Sequence, residues 1–388
     1  MASSMSRISA ALLAGVLLSH AATAQEHDHA KMLRDQAAAG GWQVMEDGNV
    51  FLMFNHQSGQ RGGDEGVAPN WWMLMASRKL PLGTVTLSGM LSLDPATVGG
   101  RGYRELFQAG ESYDGAENID RQHPHDFFMK LAASWRVGLP AATALTISGG
   151  PVDAPALGPV AFMHRASAFD NPMAPITHHL FDSTHIAFGA ATASLEHGPW
   201  TLEGSIFNGR EPDEHRWDFD VDRMDSMSGR LWFKPTAQWA FQVSTGHLVS
   251  PERLEPGDVQ RTTASASWTR IDGGNIDALT VGYGQNDTPY HVRHGMFIEG
   301  ARHRGLNTAY IRAEITQLDP HIVSVTAGAF TIGGVRDILS THGLEGGLGA
   351  ALTLYAVPAL LDPAYGSHPM SFQLFFRVRG ARHMVNMQ

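Results

Sequence analysis

The chain has 388 residues, a formal net charge of −10 and no cysteine. The lack of cysteine excludes disulfide frameworks and thiolate metal sites, and the negative charge gives no reason to expect a nucleic-acid partner. Glycine is abundant, with 42 residues, and charged residues make up only 17%. This composition fits either two soluble domains or one large membrane barrel.

The first residues have the three parts of a secretory signal. Arg7 is followed by an apolar run around residues 10–18 and then by Ala22-Thr23-Ala24, a small-x-small cleavage pattern. The run is shorter than the about 20 apolar residues that a membrane-spanning helix needs. We therefore expect a signal peptide at residues 1–24 and a flexible N-terminal segment at residues 25–41.

Segments of alternating apolar and polar residues return along the rest of the chain. In residues 306–318, for example, Ile311 and Ile315 alternate with charged and hydroxyl side chains. A strand turns successive side chains to opposite faces, so one face of such a strand is apolar and the other polar. In an exported protein, this pattern predicts an all-β fold: an antiparallel transmembrane β-barrel with lipid outside and a wet lumen.

Turn residues divide these segments into hairpins. Short turns such as Pro81-Leu82-Gly83 and Asp272-Gly273-Gly274 alternate with long connections, the longest being residues 94–125, 151–183 and 209–225. The pattern predicts about 16 strands, within a range of about 14–18 because sequence fixes strand boundaries poorly. Outer-membrane barrels keep short turns in the periplasm and long loops outside, so the long connections are expected to be extracellular loops.

The predicted barrel also sets the remaining segment boundaries and the expected location of the protein. Residues 42–380 form the barrel, and residues 381–388 form a C-terminal tail. An even number of strands with both termini in the periplasm predicts location in the outer membrane of a Gram-negative bacterium, in contact with lipid and lipopolysaccharide. The alternative is a soluble β-sandwich, whose strands also alternate.

The two faces of the predicted strands differ in chemistry. The apolar face, which includes Met129, Trp135 and Val243, is expected to contact lipid. The opposite face carries mostly cations, and its expected lumen residues are Lys130, Arg136, Arg230, Arg261, Arg312, Glu314 and Arg377. This set predicts a basic lumen, which would favour anions.

Histidine is concentrated in the long connections, in strings such as His123-Pro124-His125-Asp126 and His178 to His185. Neutral imidazole and carboxylate are the usual ligands of zinc, copper and nickel, and the predicted topology puts these strings at one end of the barrel. The candidate metal ligands are His123, His125, Asp126, His164, His178, Asp182 and His185. The alternative is structural, with the same side chains hydrogen-bonding the loops into a plug or constriction.

Ser183, His185 and Asn171 are the basis of a further interpretation, a lipid-acting hydrolase. Ser183 and His185 would share one face of a strand, and Asn171 lies nearby in the sequence. Neighbouring side chains on one strand rarely adopt the geometry of a nucleophile and its base, and no oxyanion donor is identifiable. We therefore expect no enzyme activity.

The histidine strings, with Phe162-Met163-His164-Arg165 and Asn208-Gly209-Arg210-Glu211-Pro212, resemble those of a family of uncharacterised Gram-negative outer-membrane proteins over about residues 71–379. The resemblance implies a porin-like barrel, supplies no agreed substrate, and connects the chain with heavy-metal resistance systems. The chain departs from ordinary outer-membrane porins because residues 377–388 follow Phe376.

The leading prediction is thus a porin-like outer-membrane channel that passes small solutes and carries a His/Asp-rich extracellular loop cluster. The second hypothesis is an outer-membrane protein that binds a transition-metal ion (copper, zinc or nickel) for metal tolerance, and the third is the hydrolase. No cofactor is expected apart from such an ion.

Overall fold

The computed structural model describes residues 41–108, 110–318 and 325–380. The predicted signal peptide, nearly all of the predicted flexible segment and the predicted tail lie outside these residues. Strands dominate the described chain, and short helices α1 (Asp94–Thr97) and α2 (Asp362–Tyr365) lie in its loops. In chain order, the strands are β1 (Gln43–Gln57), β2 (Gly63–Val67), β3 (Asn70–Leu80), β4 (Gly83–Leu91), β5 (Tyr103–Arg104), β6 (Ser112–Tyr113), β7 (Ala116–Glu117), β8 (Arg121–Gln122), β9 (Phe128–Leu139), β10 (Thr143–Val152), β11 (Ala190–His197), β12 (Trp200–Phe207), β13 (Ser226–Phe233), β14 (Trp239–Leu248), β15 (Val259–Asp272), β16 (Asn275–Asp287), β17 (Val292–Arg304), β18 (Asn307–Leu318), β19 (Val325–Thr341), β20 (Leu344–Ala356) and β21 (Met370–Gly380).

The long strands close into one antiparallel barrel. Strand β1 pairs with β21 on one side and with β3 on the other, which joins the two ends of the sheet. Strand β2 also pairs with β1, so β2 and β3 act as one strand interrupted at Ala68-Pro69, where proline lacks a backbone donor. With β2 and β3 counted together, the described residues form a closed barrel of 16 strands, which confirms the predicted fold class.

The two ends of the barrel differ in their connections. Turns of a few residues, such as those after Leu80, Asp272 and Thr341, lie at one end, which we call the turn end. The long connections, including residues 92–127, 153–189 and 208–225, lie at the other, which we call the loop end. The strand predicted to begin at Thr184 begins instead at Ala190, because the preceding residues belong to the loop.

The outward face of the barrel is apolar, as predicted. Along β16, exposed Leu279 and Val281 alternate with buried inward-facing residues, and Val243 on β14 is likewise exposed on the outside. Such a band of exposed apolar side chains is stable only against lipid. Among the described residues, no helix is long and apolar enough to cross a membrane.

Met129 is an exception to the predicted lipid-facing set. Its side chain is only 2% exposed and belongs to a buried apolar cluster with Trp71 and Met90. The pairing of β4 with β9 changes register here, leaving Met129 as an extra residue between Phe128 and Lys130. Such a β-bulge re-aims a side chain, and this one turns Met129 inward. The expectation that Met129 contacts lipid is therefore wrong.

Residues 153–189 form a plug inside the barrel. Most of them are buried, and only Ala154 and Val160 are exposed. Where the plug enters, the backbone N–H groups of Ala156 and Gly158 donate to serine hydroxyls on β12 and β14 at 2.7 and 2.9 Å. Wall glycines make room for it: a Cβ at Gly284 would lie 2.5 Å from the carbonyl oxygen of Leu180.

Charged side chains fix the deeper part of the plug to the wall. Arg165 donates to Glu299 on β17 at 2.6 Å. Asp170 pairs with Arg377 and Arg379, which lie on β21 close to the turn end. Because the contacts of the plug with β12, β14, β17 and β21 are spread around the barrel wall, the plug spans the lumen in width as well as in depth.

Candidate metal centre

Five histidine side chains lie together where the plug meets the first long loop. We call His123, His125, His178, His179 and His185 the histidine cluster. Its ring centroids are separated by 5.9 Å (His123–His178), 5.6 Å (His123–His179), 5.3 Å (His178–His179), 5.5 Å (His178–His185) and 5.7 Å (His125–His185). The structure therefore brings together four of the predicted metal ligands and adds His179.

Tight turns and wall contacts position the three histidines of the plug. Single 3₁₀ turns cover His178–Leu180 and Ser183–His185. Glu314 on β18 accepts hydrogen bonds from the backbone N–H and the hydroxyl of Thr177, at 3.2 and 2.9 Å. Asn286 on β16 donates to the carbonyl of His179 at 3.2 Å. The barrel wall thus holds the backbone on either side of the first turn.

Every ring of the cluster uses its Nδ1 atom to contact an acceptor oxygen. The contacts are His178 with Asp182 Oδ1 (2.7 Å), His125 with Asp94 Oδ2 (2.8 Å), His185 with the carbonyl of Asp182 (2.6 Å), His123 with Glu111 Oε1 (3.1 Å) and His179 with Glu211 Oε1 (3.2 Å). The carbonyl of Asp182 accepts only, and the lowered pKa of its side chain keeps the carboxylate an acceptor as well, so these partners favour the tautomer of His185 and His178 that carries its proton on Nδ1. That tautomer leaves a free lone pair on Nε2.

All five Nε2 atoms of the cluster are buried and have no hydrogen-bond partner among the residues that the structure describes. An unsatisfied buried polar atom costs about 1–3 kcal/mol, so five of them in one place need an explanation. Histidines that ligate metals use their two nitrogens in the same way: one binds the ion, and the other donates a hydrogen bond to a carboxylate or carbonyl. The rings of the cluster thus have the same arrangement of their two nitrogens as histidines that ligate metals, with carboxylates and a carbonyl supporting Nδ1.

Burial lowers the pKa of four rings of the cluster, those of His123, His178, His179 and His185, and so favours their neutral form. Burial lowers the pKa of His185 to about 3 and that of His179 to about 4, and the neighbouring His178 and His125 also disfavour a charge on His185. Burial likewise lowers the pKa of His123 well below its usual range. Neutral imidazole is the form that binds metal ions, so no proton has to be removed first.

Asp182 orients the cluster and is not placed as a ligand. Its Oδ1 contacts His178, and its Oδ2 accepts from Arg165 at 2.9 Å and from the backbone N–H of Phe162 at 2.8 Å. Burial opposes ionisation of this carboxyl, but His178 and Arg165 outweigh that effect and hold its pKa well below the usual range. The carboxylate is thus permanently charged and occupied on both oxygens.

Two other predicted ligands lie outside the cluster. The Asp126 carboxylate is buried and accepts from Arg216 at 3.2 Å. His164 packs edge-on against Trp71, with ring centroids 4.7 Å apart. His164 is therefore part of an aromatic contact beside the apolar cluster, and Asp126 is part of an ion pair.

Sequence reasoning missed His179 and the acidic partners Asp94, Glu111 and Glu211. His179 directly follows His178 in the sequence, and this pair of histidines was the one feature that could have indicated it. Asp94 and Glu111 lie elsewhere in the first long loop, and nothing in their spacing connects them with His125 or His123. Only the folded loop brings them together.

The arrangement proposed for a hydrolase does not form. The Ser183 hydroxyl accepts a hydrogen bond from Arg261 at 2.9 Å, while His185 Nδ1 contacts the carbonyl of Asp182. The Asn171 side chain accepts from the backbone N–H of Met173, within its own turn. In the part of the chain that the structure describes, these three residues therefore have separate partners.

The structure corrects the expectation of a basic lumen. Arg136 lies at the turn end and is half exposed, whereas the other predicted lumen cations face inward. Their partners are Asp153 for Lys130, Glu196 for Arg136, Glu203 for Arg230, Glu299 for Arg312, and Asp170 with Asp337 for Arg377; Arg261 donates to Asn286 and Ser183. Two of these acids, Asp153 and Asp170, come from the plug, which the strand pattern did not include. Glu314 accepts from Thr177 of the plug.

Comparison with known proteins identifies the class of fold. No family model matches the chain, and no curated protein matches its sequence. Similar solved structures are OmpF of Salmonella typhi in complex with daunomycin (TM-score 0.55, 7% identity, covering 88% of this chain and 98% of that one), in-vitro folded OmpT of Vibrio cholerae in its trimer form (0.53, 8%, 87% and 99%) and an anion-selective porin from Comamonas acidovorans (0.50, 11%, 87% and 99%). At these identities the likeness shows the fold alone. The protein is a closed 16-stranded β-barrel of porin architecture.

Proposed function

We propose that this protein binds a transition-metal ion inside its barrel, at the histidine cluster. The observation that carries the proposal is the set of five buried Nε2 atoms without partners, each on a ring whose Nδ1 is held by an oxygen. A purely structural cluster would be expected to satisfy these nitrogens, because each costs free energy when left unpaired.

The spacing of three rings fits a shared ion. Imidazoles that share a tetrahedral ion have centroids about 5 Å apart, because the ion–nitrogen distance is about 2.0–2.1 Å and the centroid lies about 1 Å behind the nitrogen. His123, His178 and His179 form a triangle with sides of 5.3–5.9 Å. Their ring nitrogens do not all lie within 4.8 Å of one another in this structure, so binding one ion requires the three rings to rotate inward until their Nε2 atoms converge.

The donor set indicates which ions fit. Neutral imidazole nitrogens without thiolates favour copper(II), nickel(II) or zinc(II) over magnesium or calcium, which require oxygen ligands. Long loops of outer-membrane barrels face the outside of the cell, so the cluster at the loop end would meet ions that arrive from there. Retention of such ions in the outer membrane is the simplest route to the metal tolerance expected from the sequence.

Titration of the refolded protein with Cu(II), Zn(II) and Ni(II) tests the proposal. We expect saturable binding by the wild type and its loss in a variant in which His123, His178 and His179 are all alanine. His342→Ala is the matched control, because His342 lies in an exposed turn at the turn end and contacts only Thr341 among the described residues. Equal affinity in the wild type and the triple variant would reject this site.

Passage of small solutes stays a prediction. The porin architecture supports a channel, but the buried plug fills the space through which solutes would diffuse. Diffusion therefore requires the plug to move or a narrow path to remain beside it. Planar-bilayer recording of the purified protein tests this, and a lack of conductance under every condition would exclude it.

A further inference from the structure

His179 has a second set of potential ligand partners, separate from the other histidines. Its Nδ1 lies 3.2 Å from Glu211 Oε1. Glu252 completes a group of three residues whose ligand atoms all lie within 4.8 Å of one another. The side chain of Glu211 is 9% exposed and that of His179 12% exposed, so the group is enclosed by the loops.

Separate segments build this group. The backbone N–H of Glu211 donates to the carbonyl of Pro251 at 3.0 Å, which joins residues 208–225 to residues 249–258 directly before Glu252. Gly110 lies against the imidazole of His179, where a Cβ would fall 2.2 Å from Cε1. The carboxyls and the imidazole are thus held together by the packing of three loops.

No lysine or arginine forms an ion pair with Glu211 or Glu252 in the part of the chain that the structure describes. The wall cation Arg261 donates to Asn286 and Ser183, and Arg293 pairs with Glu255. Oε2 of Glu211 is buried and has no hydrogen-bond partner among the described residues. A divalent cation would satisfy this oxygen and compensate the charge of both carboxylates.

We propose that His179, Glu211 and Glu252 form a second site for a divalent transition-metal ion, which loads the histidine cluster through their common residue, His179. This inference rests on the proposed function of the cluster. One imidazole and two carboxylates form a donor set that zinc, manganese and iron(II) accept. The neighbours Arg253 and Leu254 are exposed, so this site is close to solvent at the loop end.

His179 is suited to passing an ion between the two sites. Its Nδ1 points to the carboxylates, while its Nε2 is one of the unpartnered nitrogens of the cluster and its ring lies 5.3 Å from that of His178. An ion held by the carboxylates therefore needs only to exchange oxygen ligands for imidazole nitrogens. When both sites are filled, His179 has lost its ring proton to solvent, and the resulting imidazolate binds one ion through each nitrogen.

Cobalt(II) binding to the refolded full-length protein tests the second site. Cobalt substitutes for zinc and reports its ligands by visible absorption. We expect two ions per chain in the wild type and one in Glu252→Gln, with the affinity of the histidine cluster unchanged. We also expect the cluster of this variant to fill more slowly by about tenfold or more, because carboxylates near an entrance concentrate cations.

Controls separate this inference from the proposed function. Glu214→Gln removes a carboxylate of the same loop that pairs with Arg253 outside the group, and it should behave like the wild type. His178→Ala should lose the cluster ion and keep the carboxylate-bound ion. One ion in the wild type, or two ions and unaltered uptake in Glu252→Gln, would overturn the second site while leaving the cluster standing. No ion in any protein would reject the cluster itself. If Glu252→Gln does not refold, as judged by its β-sheet circular dichroism, Glu252→Ala replaces it, since Glu252 supports no ring of the cluster.

Discussion

Nδ1 of His178 lies 2.7 Å from Oδ1 of Asp182, and through this contact the histidine cluster is connected to the barrel wall. The other oxygen of Asp182 accepts from Arg165, whose guanidinium also donates to Glu299 on β17 at 2.6 Å. The ion pairs that seat the plug are therefore the same ones that orient a central imidazole. Metal binding and plug position are expected to depend on each other.

Asp182→Asn should weaken metal binding. Asparagine keeps the shape of the side chain but loses the charge that supports His178, and loss of such an outer-shell carboxylate typically lowers metal affinity by about 10–100-fold. A competition titration with a zinc chelator measures the change. Asp213→Asn is the control, because Asp213 contacts the exposed His215 away from the cluster. Equal affinities for the Asp182 variant and the wild type would contradict the orienting role.

The histidines should contribute unequally. The ring of His178 neighbours three other rings of the cluster. Within the cluster, the ring of His125 neighbours only that of His185, with centroids 5.7 Å apart. We therefore expect His178→Ala to bind copper or zinc at least about tenfold more weakly than His125→Ala does. Isothermal titration of both variants measures this ratio. A larger loss of affinity in His125→Ala than in His178→Ala would show that the ion binds at the other edge of the cluster.

The fold was predictable from local patterns. The alternation of Ile311 and Ile315 with polar residues shows which face of β18 meets lipid, and this information repeats in each strand. Turn residues then fix the number of strands. Met129 escaped prediction because a bulge reverses the alternation at one position, and the sequence of β9 by itself does not mark it.

The site was predictable only in part, because its contacts are long-range. His123 and His178 were recognised from dense histidine strings, yet their acidic partners lie in unremarkable stretches of sequence. Arg377 was assigned to a basic wall, but it pairs with Asp170, which is 207 residues away in the chain. Such pairs follow from where the plug lies, and no periodic pattern encodes that position.

Metal binding should persist at mildly acidic pH. An imidazole with an ordinary pKa of about 6.5 is almost fully protonated at pH 5, which costs about thirtyfold in affinity for each ligand. Burial lowers the pKa of His179 to about 4 and that of His185 to about 3, so these rings stay mostly neutral. We expect zinc affinity at pH 5 to be within about tenfold of that at pH 7.5.

Acid should lower the free energy of unfolding of the metal-free protein. Because the folded-state pKa values of His179 and His185 lie below those of the unfolded chain, the unfolded chain binds protons that the folded cluster does not. Stability is therefore complete above the ordinary pKa of about 6.5 and falls as the pH drops toward about 4. Denaturant unfolding of the metal-free protein across this range measures the loss. A flat profile would show that the cluster does not remain neutral on folding.

The outward face of β14 should tolerate no charge. Val243 lies near the middle of the strand and is 53% exposed on the outside of the barrel. Val243→Arg should destabilise the barrel in lipid vesicles by about 2–4 kcal/mol, the typical cost of arginine at the bilayer midplane. Val221→Arg, in a loop where the side chain is 77% exposed, is the control and should fold like the wild type. An equally stable Val243→Arg protein would exclude lipid contact there.

Removing Arg165 should loosen the plug. The substitution Arg165→Ala leaves the buried carboxylates of Asp182 and Glu299 without a shared partner, and breaking a buried ion pair from one side costs about 3–5 kcal/mol. Because Arg165 connects the plug to β17, the variant should show more frequent and larger conductance steps than the wild type in planar bilayers. Arg302→Ala, which removes an exposed ion pair with Asp277 at the turn end, should conduct like the wild type.

Since Arg165 also supports Asp182, Arg165→Ala should bind zinc more weakly than the wild type. If Arg165→Ala showed higher conductance but full zinc affinity, the plug and the cluster would be independent.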